Sequence, residues 1–424
     1  MRRFFALIFV IFIISDIHVH AQQIHIDIEA SGFRKMKVAM PTYAGPGDMA
    51  GSVWAMCARD LQLSGIFDLI SPQSYVNPGP LGEVQQGSLK DFSLIGSDYV
   101  IAATVSKQDT TGIFKVQMVD VSTGQVIESA TYTSGEQTMY MAVHAFMDHV
   151  LRNKFGLDPI FSSKIACIKK DKTAKQLHVI WCDGTGGNTI RGGGSLVLSP
   201  AWSRDGKKIA FVSYWKNNPD LYLLDLATNN VKQLSAQKGI NTSPAFDASG
   251  GRIGLTLSID GSPKIYIMNL DGSGRTKLTT GWATDTSPSF SINGKSMAYC
   301  SSRSGNPQIF IMDLATKNVQ RLTYEGKYNS EPTFSPRGDL VAFSYRAKNE
   351  KFYIATIKPD GSNFRVLPGS GLGDESPSFS PDGRLIAFAG GDGNIHITDL
   401  MGTMSVPVTS GGGFSEPAWS PLMK

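Results

Sequence analysis

Carboxylate side chains recur just before a repeated proline, and they are the residues of this sequence whose types and spacing best suit chemistry. They are Asp285, Glu331, Asp374, Glu375 and Glu416. Grouped carboxylates can support general acid–base catalysis, bind a hard cation such as Ca²⁺, or recognise a basic segment of a partner protein. Ordinary solvated loops are a further interpretation. The choice between these depends on the elements that position the carboxylates.

Motifs for other chemistry are missing from the sequence. It contains no Gly-x-Ser-x-Gly nucleophile elbow and no His-Glu-x-x-His zinc motif. The stretch Asn293–Ser296 ends like a phosphate-binding loop, but Ser289 stands where that loop requires glycine. No loop has the spacing of a dedicated calcium site. We therefore expect no catalytic residue, no metal and no cofactor, and we expect that the protein is not an enzyme.

The prolines belong to a repeat in which Ser or Glu, Pro, a small residue and an aromatic residue follow one another. The repeated prolines are Pro200, Pro244, Pro288, Pro332, Pro377 and Pro417, at spacings of 44, 44, 44, 45 and 40. The cleanest copy is Ser376–Phe388, where Asp382-Gly383 forms the turn between two strand-like runs. A period of about 40–45 residues with strand-rich content is typical of a β-propeller.

The two ends of the repeat array are incomplete in a complementary way. The first unit has only later strands, such as Leu177–Trp181, and the chain stops soon after Glu416–Trp419. We expect the C-terminal fragment to supply the missing inner strand and to close a six-bladed propeller over residues 159–424, which removes two open sheet edges. A linear solenoid is the alternative. In a closed ring, the residues before each proline meet at one mouth of the central channel.

The residues before the repeats have a different pattern. A helix is predicted from Asp48 to Gly65 and a second over Glu136–Lys154, with strands between them, among them Tyr99–Val105 and Phe114–Val121. Residues 34–158 therefore form a small mixed α/β domain. The predicted fold class is multidomain: this α/β domain followed by an all-β, six-bladed propeller that is closed by the C-terminal strand.

The N-terminus reads as an export signal. Arg2 and Arg3 precede the apolar run Phe4–Ile14, and a small-residue cleavage site ends at Ala21. We predict a cleaved signal peptide over residues 1–21, with a retained membrane anchor as the alternative. In the following segment, residues 22–33, Ile24, Ile26 and Ile28 alternate with polar residues. This pattern predicts a strand that either adds to a partner's sheet or pairs at the edge of the first domain.

The charge of the sequence bears on whether it binds nucleic acid, and its cysteines bear on whether it forms disulfide bonds. The net charge is +4 with 18% charged residues, and no basic cluster indicates nucleic-acid binding. Export permits oxidation, and Cys167 and Cys182 lie on consecutive predicted strands. A disulfide between them and buried thiols are both consistent with the sequence. The repeated aromatic residues are expected to pack between blades.

These features together resemble the TolB family, the periplasmic components of the Tol–Pal system. The motifs that carry the resemblance are the signal peptide, the small α/β domain and the six repeats that end in Glu416–Pro421. The resemblance implies a non-enzymatic, monomeric periplasmic adaptor with no membrane insertion. It would link the outer-membrane lipoprotein Pal to the inner-membrane TolA complex, for envelope integrity and outer-membrane constriction in cell division.

The resemblance also implies two binding regions. Pal would bind at the channel mouth through Asn241, Ser243, Asp285, Thr286, Ser287, Asn329, Glu331, Asp374, Glu375 and Glu416. The C-terminal domain of TolA would bind the N-terminal strand through Gln22, Ile24, Ile26 and Ile28. Pal binding and exposure of that strand would be coupled. The alternatives are a propeller that binds a carbohydrate or small ligand, and a propeller hydrolase that acts at the channel mouth.

Overall fold

The computed structural model describes residues 34–77, 79–135, 138–191 and 195–422. The predicted signal peptide and the predicted partner-binding strand at residues 22–33 lie outside these residues. The chain divides into two compact units, with the boundary between Ser162 and Ser163. Among the described residues, no helix combines the length and the hydrophobicity needed to cross a lipid bilayer.

The N-terminal unit is a five-stranded sheet with helices packed on it. Its strands are β1 (Met36–Ala39), β2 (Phe67–Leu69), β3 (Tyr99–Gln108), β4 (Thr111–Asp120) and β5 (Val126–Gly135), in the spatial order β2-β1-β3-β4-β5. Its helices are α1 (Gly47–Leu63), α2 (Leu89–Leu94) and α3 (Met139–His149), and a π-helical turn over Val150–Lys154 extends α3. Strand β1 runs parallel to β2 and β3, and the remaining pairs are antiparallel.

Helical periodicity explains how α1 covers the sheet. Val53, Cys57 and Leu61 recur at intervals of four residues and are all buried, which is the spacing of one helix face. Asp48 lies inside the first turn and does not cap the helix, because Pro46 occupies the capping position. The short helix α2 was missed by the sequence analysis because it presents a single buried side chain, Phe92. The mixed α/β character of this unit is confirmed.

The C-terminal unit consists of six four-stranded antiparallel sheets. The first two complete blades contain β9 (Val197–Trp202), β10 (Lys208–Ser213), β11 (Asp220–Asp225) and β12 (Val231–Ser235), then β13 (Asn241–Phe246), β14 (Arg252–Leu257), β15 (Lys264–Asn269) and β16 (Thr276–Lys277). The third contains β17 (Asp285–Phe290), β18 (Ser296–Ser301), β19 (Gln308–Asp313) and β20 (Val319–Arg321). The fourth contains β21 (Tyr328–Phe334), β22 (Val341–Arg346), β23 (Phe352–Ile357) and β24 (Arg365–Val366), and the fifth β25 (Asp374–Phe379), β26 (Leu385–Gly390), β27 (Ile395–Asp399) and β28 (Ser405–Pro407).

The sixth blade joins the two ends of the repeat array. It has the order β29-β6-β7-β8, where β6 spans Lys164–Lys170, β7 Lys175–Trp181, β8 Asn188–Arg191 and β29 Phe414–Trp419. Ala418 lies opposite Ala166 and Trp419 opposite Ile165. The predicted closure by the C-terminal strand, and with it the six-bladed propeller, is confirmed.

Two tryptophans reinforce this closure. The repeated aromatic is Phe in four copies and Trp in two. The two tryptophans belong to β29, the strand that closes the ring, and to β9, the inner strand of the next blade, and we call this region the seam. Trp202 Nε1 donates to the carbonyl oxygen of Ala418 at 2.9 Å, and Trp419 Nε1 donates to Ser163 Oγ at 2.8 Å. Phenylalanine could not make either bond. Tryptophan therefore stands where one blade combines strands from both ends of the propeller sequence.

The other repeated aromatics pack between neighbouring blades, as expected. Phe290, for example, lies in one buried cluster with Ile265 and Ile267 of the preceding blade and Tyr299 of its own. No disulfide joins Cys167 to Cys182. Cys167 lies opposite His178 on β7, whereas Cys182 follows the end of that strand. Burial raises the pKa of the Cys167 thiol to about 12, so this thiol is kept protonated and unreactive.

Replacing the indole at the seam should destabilise the propeller. We expect Trp419→Phe to lower its free energy of unfolding by about 1–2 kcal/mol, because a buried hydrogen bond to Ser163 is lost. Trp282→Phe is the matched control, since Trp282 is mostly exposed. Calorimetric melting of both variants measures the difference. Equal melting temperatures for the two variants would contradict a role of the indole in closure.

Candidate partner-binding mouth of the propeller channel

Six residues with left-handed backbone conformation encircle the channel, one on each inner strand. We call them the channel ring: Ser199, Ser243, Ser287, Glu331, Ser376 and Glu416, with φ between 49° and 57°. Each directly precedes a repeated proline, and at each the pairing of the inner strand with its neighbour shifts register. Such φ values are uncommon for residues other than glycine. Their recurrence in every blade shows that a bulge is part of the repeat.

Because of the bulge, the backbone N–H of the ring residue does not bond to the neighbouring strand of its own blade. In three blades it donates instead to a side chain of the preceding blade. Ser287 N donates to Thr256 Oγ1 at 3.3 Å. Ser376 N lies 3.0 Å from Ser344 Oγ and 2.9 Å from a carboxylate oxygen of Glu331. Ser199 N donates to a carboxylate oxygen of Glu416 at 2.6 Å. The two ring glutamates therefore bond one blade to the next.

Three carboxylates interact electrostatically at the ring, and we call them the acidic well: Glu331, Glu375 and Glu416. The pKa of Glu416 is raised chiefly by its burial, although the bond from Ser199 and the charge of Lys175 oppose the rise. The pKa of Glu375 is raised by partial burial and by the neighbouring charge of Glu331. Glu375 is exposed, whereas the other two are half-buried. Beneath them the channel encloses about 700 Å³, lined by the ring, the repeated prolines and the aromatics.

The prediction that five carboxylates meet at the channel mouth is wrong for Asp285 and Asp374. Asp285 and Asp374 are fully buried at the first positions of their inner strands. Asp285 Oδ1 lies 3.3 Å from Arg303 Nη2. Asp374 Oδ1 accepts the backbone N–H and the hydroxyl of Ser370. Both carboxylates therefore stabilise loops of the propeller and are absent from the acidic well.

Asn241 and Asn329 occupy the same position in their blades and are also fully buried. Asn241 accepts bonds from Ser235 Oγ and Gln237 N, and donates to the carbonyl oxygens of Gln237 and Gly239. Asn329 donates to the side chain of Gln308 and the carbonyl oxygen of Glu325. Each asparagine ties together the crossover loop that leads into its strand. Contact of either side chain with a partner stays a prediction, and it requires the loop to open.

The remaining predicted mouth residues are accessible in part. Ser243, Thr286 and Ser287 are half-buried, the two serines in the channel ring and Thr286 directly before it, opposite Cys300. Their hydroxyl groups offer hydrogen bonds at the rim of the channel. Within the described residues of the propeller, no three His, Cys, Asp or Glu side chains bring ligand atoms close enough to hold a metal ion.

Sequence reasoning missed a set of exposed apolar side chains on the crossover loops, which join the outer strand of one blade to the inner strand of the next. We call this set the apolar crown: Leu196, Ile240, Trp282, Tyr324 and Leu372, with exposed fractions of 44, 38, 76, 72 and 63%. Each lies one to four residues before an inner strand. The signal was present in the sequence, since Ile240, Trp282 and Leu372 each follow a glycine in an otherwise polar loop.

Comparison with known proteins identifies the family. Residues 155–423 match the family model described as the TolB beta propeller domain, and residues 24–127 match the TolB amino-terminal domain. The chain belongs to the TolB family. The resemblance predicted from the sequence is confirmed.

Individual TolB relatives agree with this assignment. The Tol-Pal system protein TolB of Alcanivorax borkumensis is 30% identical over 210 residues, which is 48% of each chain, and that of Syntrophus aciditrophicus is 31% identical over 228 residues, or 50% of each. The matched stretches span about half the length of these curated relatives. The crystal structure of TolB from Acinetobacter baumannii superposes with a TM-score of 0.79 at 27% identity, covering 94% of this chain and all of that one.

Removing the buried side chain of Asn241, at the start of β13, should destabilise the propeller. We expect Asn241→Ala to lower the free energy of unfolding of the propeller by about 1–3 kcal/mol, because it leaves buried backbone groups of Gln237 and Gly239 without partners. Thr242→Ala, at the adjacent half-buried position, is the control. Hydrogen exchange of residues 235–241 and the melting temperature measure the effect. Unchanged exchange in Asn241→Ala would remove its assignment as a structural residue.

Proposed function

We propose that this TolB-family chain is a non-enzymatic component of the Tol–Pal system that works in the periplasm. The curated relatives carry the name Tol-Pal system protein TolB, which supports membership of the same system. In this proposal the chain is an adaptor between the outer-membrane lipoprotein Pal and the inner-membrane TolA complex. Through these two contacts it maintains envelope integrity and supports outer-membrane constriction in cell division.

The observation that carries the proposal is the acidic well at a channel mouth of a chain whose formal net charge is +4. Glu375 is exposed, and its neighbours Glu331 and Glu416 add charge beneath it. A basic side chain of Pal that enters the mouth would find its countercharge there, with partial desolvation that strengthens the attraction. The half-buried hydroxyls of Ser243, Thr286 and Ser287 would supply further hydrogen bonds at the rim.

The geometry of the well favours binding over catalysis. A general acid–base pair needs carboxylates that are available to exchange protons with a substrate. Glu331 and Glu416 instead accept backbone N–H groups of Ser376 and Ser199 and so take part in holding neighbouring blades together. This use of the carboxylates supports the assignment of the protein as a binding module.

The contact with TolA is proposed from the sequence of residues 22–33. The alternation of Ile24, Ile26 and Ile28 with polar residues suits an edge strand that adds to a sheet of the TolA C-terminal domain. Main-chain hydrogen bonds would supply affinity, and the isoleucine face would supply specificity.

Charge reversal at the exposed well carboxylate tests the Pal site. We expect Glu375→Lys to weaken binding of the soluble domain of Pal about tenfold or more at low salt, because it replaces attraction by repulsion. Glu83→Lys makes the same charge change on an exposed side chain of the N-terminal unit and should leave affinity unchanged. Isothermal titration calorimetry measures both. If Glu375→Lys binds Pal normally, the site lies elsewhere, and if the unmodified chain does not bind, Pal is not its partner.

Deletion of residues 22–33 tests the second contact. We expect the shortened mature protein to lose binding to the TolA C-terminal domain, because the added strand is gone, while calorimetric binding of Pal persists. Replacing Ile24, Ile26 and Ile28 by Ser in the full-length mature chain is the matched variant, since it keeps the length and removes the apolar face. Persistence of the TolA interaction in the deletion would refute strand addition by this segment.

A further inference from the structure

The apolar crown leaves much of its surface exposed on the propeller, although the Arg321 guanidinium lies 4.8 Å from the centre of the Tyr324 ring. Trp282, Tyr324 and Leu372 expose most of their surface, although tryptophan and tyrosine gain stability when their rings are buried. These side chains stand on consecutive crossover loops around one opening. Apolar side chains grouped on a surface and surrounded by polar residues mark sites of protein association.

The polar residues beneath the crown are bonded within the propeller, although Asp285 Oδ2, Asn329 Oδ1 and Asp374 Oδ2 have no hydrogen-bond partner among its described residues. Asn241, Asp285, Asn329 and Asp374 are fully buried in the loops. Glu331 and Glu416 accept bonds from the neighbouring blades. A partner at this mouth therefore meets the crown and Glu375 first, and the free apolar surface that it can cover lies on the crown.

The crown is open on one side. The crossover from β28 to β29 carries Gly411-Gly412-Gly413, and its one apolar side chain, Val408, is buried, so no exposed apolar side chain stands there. Beside this gap, Lys170 N donates to the carbonyl oxygen of Gly413 at 2.7 Å, and Lys170 and Lys172 are exposed on either side of Asp171. The mouth thus has an acidic centre, an apolar rim over five crossovers and a basic sector at the sixth. This asymmetry distinguishes the six rotational positions that the blade repeat would otherwise make alike.

We propose that the apolar crown is the anchoring surface for a partner protein that presents a basic side chain flanked by apolar ones. The basic side chain enters the acidic well, the flanking side chains cover Trp282 and Tyr324, and an acidic group of the partner faces Lys170 and Lys172. This inference rests on the proposed function, because it assigns the residues that anchor the partner at the same mouth. Aromatic side chains supply most of the binding energy in many interfaces, and surrounding polar contacts contribute specificity.

Truncation of the two aromatic anchors tests the proposal. We expect Trp282→Ala and Tyr324→Ala each to raise the dissociation constant for the soluble domain of Pal about tenfold or more, measured by calorimetry. Leu94→Ala is the matched control, because Leu94 is similarly exposed, at 79%, and belongs to α2 of the N-terminal unit. The melting temperatures of all three variants should equal that of the unmodified protein, since these side chains are exposed.

The outcomes separate this proposal from the proposed function. Normal affinity in both aromatic variants, together with loss in Glu375→Lys, would overturn the crown and keep the mouth as the Pal site. No binding by the unmodified chain would overturn the proposed function, and the crown proposal with it. Crown-dependent binding to phosphatidylethanolamine–phosphatidylglycerol vesicles, with Pal affinity unchanged in the variants, would make the crown a lipid contact and also overturn the proposal.

Discussion

The pairing of β29 with β6 is the interaction on which the rest of the propeller depends. These strands are more than two hundred residues apart in the chain, and their ladder places Trp419 opposite Ile165. Without it, the sheet of β6, β7 and β8 would have an unpaired inner edge and the channel would be open on one side. The two indole bonds, from Trp202 to Ala418 and from Trp419 to Ser163, lie at this seam. The closing strand also contributes Glu416, so closure of the ring and assembly of the acidic well are one event.

The bulge before each proline gives the channel its chemistry. Because proline has no N–H to donate, it suits the inner strand, whose free side faces the channel. In three blades the left-handed residue before it donates its N–H to a serine, threonine or glutamate side chain of the preceding blade. Four blades use serine in the ring and two use glutamate. The backbone geometry is therefore the same in all six blades, but only two ring positions carry a carboxylate. Glu375, next to the ring, adds a third carboxylate that is exposed to solvent.

At the mouth, buried residues that stabilise the fold and exposed residues that a partner can reach lie within a few positions of one another in the chain, around the start of each inner strand. The first residues, Asn241, Asp285, Asn329 and Asp374, are buried and tie their loops. In each of these four blades the channel ring follows two positions further along the inner strand, as Ser376 follows Asp374 and Ser243 follows Asn241. The exposed groups stand just before the strand, on the crossover loops. A surface of this kind can differ at the exposed loop positions while the blade core stays constant, because these exposed side chains do not take part in packing between blades.

The repeat period, the aromatic and turn positions, and the incomplete end units were sufficient to predict six blades and their closure from the sequence. These features are local or depend on counting, and strand periodicity reports burial directly. The sequence could not decide which carboxylates meet. Asp285 and Asp374 were expected beside Glu331, but the position of each residue relative to the bulge determines whether its side chain points into the blade or toward the channel. The bulge depends on pairing with the neighbouring strand. Likewise, the glycine before Trp282 marks a loop in the sequence, but only the assembled ring places Trp282 and Tyr324 exposed around one mouth, because burial is a property of the tertiary contacts that surround a side chain.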